Sequence, residues 1–172
     1  MSFYQSMWPE LPARWVKKDN LHITLIFLGY LADEEIVETC KIVGETVSRH
    51  SSFIVNLKRI CYGPPQKIPP RMVWAEGEKS EELGKLQKDL ENSLLATPSS
   101  GLKKTETRPY APHITLGRIK AWDFRQIEPE ERPEVSEEID LNFEVNSVEV
   151  MESQLKRGGA EYTALESAPL KI

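Results

Sequence analysis

The chain carries one tetrapeptide twice, as His22-Ile23-Thr24-Leu25 and again as His113-Ile114-Thr115-Leu116, and two of its three histidines are in these copies. Each copy lies in a run of β-branched and aliphatic residues, closed by Ile26-Phe27-Leu28-Gly29 in the first and Gly117-Arg118-Ile119 in the second. Both runs are therefore predicted to be strands. A period of two puts the His and Thr of each copy side by side on one face and turns Ile23 and Leu25, or Ile114 and Leu116, toward a core. An imidazole beside a hydroxyl, twice over, suits the holding of a small anion. The duplication also predicts a fold of two related halves.

Around the motifs the chain reads as a mixture of strands and helices that do not simply alternate. Residues 1–21 are aromatic (Phe3, Tyr4, Trp8, Trp15) without a helical period, and Trp15-Val16 leads into the first motif strand. A helix is predicted from Asp33, with Ile36, Val37, Cys40, Val43 and Val47 as its apolar face, ending at His50 as a dipole-complementing cap. A strand at 53–62 precedes a proline-rich surface loop from Gly63 to Pro70. Arg71 to Ala75 reads as the next strand, and Ser80 caps a helix lined by Leu83, Leu86, Leu90 and Leu94. A basic loop, Lys103 to Pro112, enters the second motif strand, and an acidic connection with no expected regular structure runs to about residue 135. A strand through Ile139, Leu141, Phe143, Val145, Val148 and Val150, a turn at Arg157-Gly158-Gly159-Ala160 and a last strand near Tyr162–Leu165 close the chain. These elements predict an α+β fold: two mostly antiparallel sheets with helices outside, in one bilobal domain spanning 1–172. The second motif is preceded by a strand and a helix. An equivalent pair before His22 has only twenty-one residues available. A reduced first lobe lacking its N-terminal strand and helix, a late start of the chain, and an edge supplied by a second subunit all remain open.

Composition narrows the function. With 172 residues and 40% apolar content the chain can bury a core, and it has no long apolar run or export signal, so a cytoplasmic location is expected. Cys40 and Cys61 form no Cys-x-x-Cys spacing and are read as reduced, buried residues. A net charge of −5 argues against coating long duplex nucleic acid but allows a locally basic cleft, and Lys17, Lys18, Lys103, Lys104, Arg108, Arg118 and Lys120 gather near the motifs. Phe27, Tyr62, Trp74 and Tyr110 are read as core or rim packing, with stacking on a base as the alternative.

Two imidazoles facing one cleft can divide proton transfer between them, because histidine's ordinary pKa of about 6.5 permits one neutral and one protonated ring near neutral pH. Displacement at phosphorus needs that division: a base for the attacking water, an acid for the departing oxygen, and donors for the non-bridging oxygens. Thr24 and Thr115 suit the last task. Neither motif has a carboxylate cluster at metal-ligand spacing, so chemistry without a metal or other cofactor is expected. Strict alternation turns Arg118 away from the His113 face, and a contact from it requires a bulge or a strand end after Gly117.

These motifs resemble those of the 2H phosphoesterases, named for two His-x-Thr/Ser motifs, and within them the RNA 2′,3′-cyclic phosphodiesterase branch, also called 2′-5′ RNA ligases. Arg14-Trp15-Val16 through Asn20-Leu21-His22-Ile23-Thr24-Leu25-Ile26-Phe27-Leu28-Gly29 is similar to the branch's first motif block. Arg108-Pro109-Tyr110-Ala111-Pro112-His113-Ile114-Thr115-Leu116-Gly117-Arg118 is similar to its second, and Glu161 to Ser167 to its closing segment. The resemblance implies a pseudo-two-fold bilobal fold with a central cleft and hydrolysis of a terminal RNA 2′,3′-cyclic phosphate to a 2′-phosphate without a cofactor. It implies His22 as proton donor to the leaving 3′-oxygen and His113 as the proton acceptor that activates water. Thr24, Thr115 and Arg118 would bind the phosphate, and no residue would hold a metal. Reversible 2′-5′ joining of RNA ends is the secondary activity it implies. The partners expected are RNA 3′ ends or small nucleotides bearing a 2′,3′-cyclic phosphate. The alternatives are a phosphodiesterase acting only on a small nucleotide and a non-catalytic module that holds RNA ends; oligomeric state is left open.

Overall fold

The structure, a computed structural model, describes residues 3–65, 67–102, 110–157 and 159–172. Lys103, Lys104, Arg108 and Pro109 of the predicted basic loop, and Gly158 of the last turn, lie outside the described residues. Along the chain run α1 (Phe3–Met7), β1 (Ala13–Trp15), α2 (Asp33–Val47), β2 (Phe53–Gly63), β3 (Met72–Gly77), α3 (Glu81–Ala96), β4 (His113–Ile119), α4 (Ala121–Arg125), β5 (Ser136–Val145), β6 (Ser147–Lys156) and β7 (Gly159–Pro169). A five-stranded sheet has the order β1-β4-β3-β2-β5, and β6 and β7 form a two-stranded one. The pairs β1/β4, β4/β3, β3/β2 and β6/β7 are antiparallel, so the chain is α+β with antiparallel sheets as its sequence predicts.

The chain divides into two compact units. The first comprises Met1–Thr24, Asn56–Glu78 and Ala111–Leu141. Its core is the apolar face of the sheet, with Ile60, Val73, Leu116 and Ile119 buried together with Phe124 of α4. Phe124 meets the Tyr62 ring edge-on at 6.1 Å and carries the Arg132 guanidinium 5.3 Å from its centroid. The acidic connection after Ile119 is thus more ordered than its composition suggests: Phe124 anchors a short helix there, and a 3-10 turn follows at Pro129–Glu131. The N-terminal segment likewise contains α1, which has too few residues to display a period.

The second unit comprises Leu25–Val55, Lys79–Tyr110 and Asn142–Ile172. In α3, Ser80 Oγ accepts from the Leu83 amide at 3.1 Å, and Leu83, Leu86, Leu90 and Leu94 form the buried stripe, both as predicted. In α2 the buried stripe differs from the predicted one. It consists of Thr39, Ile42, Val43, Thr46 and Val47, while Val37 is 71% exposed. Two threonines can join an apolar stripe because their hydroxyls find partners. Thr39 donates to the Ser100 carbonyl at 2.9 Å, and Thr46 accepts from Arg49 at 3.1 Å. After α2, His50 places Nε2 3.2 Å from Asp89 of α3.

Only one of the two motif copies is a full strand. The second is β4, whereas the first touches the sheet through a single antiparallel bridge, Ile23 to Ile114. A strand needs a partner's amides and carbonyls along its length. On that edge of β4, Gly117, Arg118 and Ile119 are already taken by Trp15, Arg14 and Ala13 of β1. The chain then leaves the edge in a 3-10 turn at Lys18–Asn20 and returns only at Ile23.

Candidate active site

Both His-x-Thr pairs fall in the first unit, and the Ile23–Ile114 bridge fixes their register. In an antiparallel pair this register sets His22 opposite Thr115 and Thr24 opposite His113, all on the face away from the two isoleucines. The register makes the two histidines diagonal neighbours across the bridge. The bridge thus joins the two motif copies side by side at their central isoleucines.

Each imidazole is oriented in the same way. Nδ1 of His22 lies 2.8 Å from the Asn20 carbonyl, and Nδ1 of His113 lies 2.9 Å from the Ala111 carbonyl. A carbonyl oxygen only accepts, so both Nδ1 atoms carry the hydrogen, and Nε2 is the atom through which each ring can exchange a proton. The second copy also has close neighbours on β3. The His113 ring stacks on Trp74, with centroids 3.7 Å apart and planes 19° apart, and Thr115 Oγ1 lies 3.9 Å from Met72 Sδ.

The same face extends across three strands. On β3, Glu76, Trp74 and Met72 stand opposite His113, Thr115 and Arg118 of β4. On β2, Arg59, Cys61 and Gly63 stand opposite Glu76, Trp74 and Met72. Arg59 and Glu76 form an ion pair at 2.6 Å. Burial, and then the Glu76 carboxylate, push the Cys61 thiol above its ordinary value.

Strict alternation would turn Arg118 to the opposite face, but β4 is not strictly alternating. Trp74 pairs with Thr115 and Val73 with Gly117, so Leu116 is an extra residue on β4. This bulge brings Arg118 opposite Met72, onto the face of His113 and Thr115. Gly117, within the bulge, leaves room for the Trp15 ring, which a Cβ there would approach to 3.0 Å. Arg14 of β1 pairs directly with Arg118, so two guanidinium groups stand at one end of the face.

Met72 is the neighbour of the second motif that sequence reasoning passed over; Trp74, read there as packing, stacks on His113, and Arg14, read there only as part of the first motif block, pairs with Arg118. Alternation along 72–76 groups Met72 with Trp74, but only strand order reveals that the second motif strand is their neighbour. Among the described residues no group of three or more His, Cys, Asp or Glu side chains is placed to hold a metal ion, and no helix is long and apolar enough to cross a membrane.

Residues 5–157 match the family model of the 2′-5′ RNA ligase superfamily. The RNA 2′,3′-cyclic phosphodiesterase of Thermotoga maritima is 30% identical over 156 residues, which cover 89% of this chain and 77% of the relative. That of Methanothermobacter thermautotrophicus is 30% identical over 165 residues, covering 91% and 82%. Among solved structures, a protein of Thermus thermophilus superposes with a TM-score of 0.79 at 26% identity, covering 95% of this chain and 85% of that one. LigT of E. coli, solved with 3′-AMP, shares the fold with a TM-score of 0.71 at 24% identity, covering 98% and 88%.

Proposed function

We propose that this chain, which belongs to the 2′-5′ RNA ligase superfamily, hydrolyses terminal RNA 2′,3′-cyclic phosphates to 2′-phosphomonoesters by two-histidine acid/base catalysis. The observation that supports this reading is the Ile23–Ile114 bridge, which joins two motif copies whose histidines each bond through Nδ1 to a carbonyl two residues upstream. In the reaction, His113 Nε2 accepts a proton from water as the water oxygen attacks phosphorus. The bond from phosphorus to the 3′-oxygen breaks, and His22 Nε2 donates its proton to that oxygen. Thr24 and Thr115 hydroxyls donate to the non-bridging oxygens, and Arg118 balances their charge. A 5′-hydroxyl in place of water gives a 2′-5′ phosphodiester through the same proton transfers.

The test is an oligonucleotide ending in a 2′,3′-cyclic phosphate, incubated with the protein in EDTA. A 2′-phosphate is the expected product. His22→Ala and His113→Ala are each expected to lower kcat by about 10²–10⁴-fold, the usual contribution of a positioned acid or base. Wild-type turnover in either variant would remove the acid/base assignment. Tight binding of the oligonucleotide with no product would instead favour a module that only holds RNA ends.

A further inference from the structure

The paired motifs leave one feature of the site unexplained: a tryptophan lies flat against His113. Trp74 is 8% exposed, and its ring covers the imidazole at 3.7 Å between centroids. The other side of the indole is fixed as well. A Cβ on Gly63, two positions along β2 from Trp74's partner Cys61, would come within 2.1 Å of the indole Cδ2. The ring therefore occupies the volume that any side chain at position 63 would need, and it sits between the Gly63 backbone and the imidazole.

The placement carries a cost that a wholly apolar side chain would avoid. Trp74 Nε1 is buried and donates to no acceptor among the described residues. An unpaired buried donor destabilises a fold, and a phenylalanine or leucine would fill an apolar slot without it. What the indole does provide is a broad flat surface against His113. The Nδ1 bond to Ala111 holds the imidazole at one point and leaves it free to tilt about that contact. A stacked plane removes the tilt.

We propose that Trp74 is the positioning residue of His113: the indole fixes the plane of the imidazole so that Nε2 meets the attacking water in line with phosphorus, and Gly63 makes the room that this requires. The proposal rests on the two-histidine reading above. Its effect belongs to the proton-transfer step, because the ring itself is too buried to contact substrate. It is therefore expected in kcat and not in KM.

The experiment compares Trp74→Leu, which keeps apolar bulk without a ring, with Trp74→Phe, which restores a flat face. Turnover of the cyclic-phosphate oligonucleotide is measured together with the imidazole proton resonances of His113 and His22, assigned with the His→Ala variants. In Trp74→Leu, kcat is expected to fall by about 10- to 100-fold with KM within about 3-fold of wild type. The His113 resonances are expected to move downfield as the indole ring current is lost, while those of His22 stay in place. Trp74→Phe is expected to recover most of kcat. Wild-type kcat in a folded Trp74→Leu protein overturns the proposal. So does a loss confined to KM, or a Trp74→Phe variant as impaired as Trp74→Leu. If instead His113→Ala turns over at the wild-type rate, the two-histidine reading itself fails and the kinetic role of Trp74 fails with it. That outcome is distinguished from the others by a variant that leaves Trp74 untouched.

Discussion

Each histidine of the candidate site is oriented by a main-chain carbonyl two residues upstream, Asn20 for His22 and Ala111 for His113. Because each carbonyl belongs to the segment that presents the imidazole, the tautomer is set locally, and the sequence motif carries that information with it. This is why the two histidines stand out as candidates in the sequence while the contact of Trp74 with His113 does not: that contact depends on which strand lies beside β4. A second residue-scale consequence concerns Tyr62. Burial pushes its phenol up to about 12, and its hydroxyl donates to the Pro133 carbonyl at 2.5 Å. The unfolded chain releases this proton near pH 10 while the folded protein retains it, so the stabilisation is complete below pH 10 and is lost as pH rises from about 10 to 12. Tyr62→Phe is expected to flatten that alkaline decline in urea-unfolding midpoints measured between about pH 9 and 12. An unchanged alkaline slope would contradict the buried, hydrogen-bonded phenol.

Among the elements, the helices show where periodicity reads a fold and where it misreads one. The four leucines of α3 are apolar, evenly spaced and buried, so pattern and structure agree. In α2 the pattern selects Val37, whereas the fold buries Thr39 and Thr46, whose partners Ser100 and Arg49 are invisible to a hydropathy pattern. The two assignments give opposite expectations for adjacent surfaces of one helix. Val37→Ala should change stability by no more than about 0.5 kcal/mol, as for an exposed position. Thr39→Val should cost about 1–3 kcal/mol by leaving the Ser100 carbonyl buried without its donor. Chemical denaturation of both variants checks the orientation of α2, and the reverse ranking would restore the stripe read from sequence. The bulge at Leu116 is the corresponding case in a strand. A single extra residue reverses the facing of everything after it, and no local propensity announces it.

Taken as a whole, the molecule is acidic, with a net charge of −5, while the face bearing the motifs ends in Arg14 and Arg118. Like charges directly opposite on a sheet are unfavourable unless an anion lies between them. An acidic protein with two such contacts should hold RNA through few phosphates. Each contact to a single strand contributes a slope of about −0.7 in the dependence of log affinity on log salt, so two give about −1.4, or roughly a 7-fold loss between about 50 and 200 mM. Arg14→Ala and Arg118→Ala are each expected to reduce the slope by about half in titrations of an uncleavable phosphate-ended oligonucleotide. A slope several times steeper, or one indifferent to both arginines, would place the electrostatic contacts elsewhere. The α+β class and antiparallel sheets were legible from strand and helix patterns, because those patterns follow from what each segment must bury. The strand order and the single-bridge attachment of the first motif were not, because they depend on competition for one edge of β4.

That attachment has a consequence for the direction of the chemistry. An antiparallel bridge has a local dyad normal to the sheet, and the one between Ile23 and Ile114 carries His22 onto His113 and Thr24 onto Thr115. On the proposed reading, a cyclic phosphate bound one way round would therefore be equivalent, as far as these four side chains are concerned, to the same group rotated by half a turn with acid and base exchanged. On that reading the motifs alone do not distinguish acid from base. Handedness must come from groups that the dyad does not copy, and the structure supplies two candidates on the same side: the indole behind His113 and the arginine that the β4 bulge turns toward it.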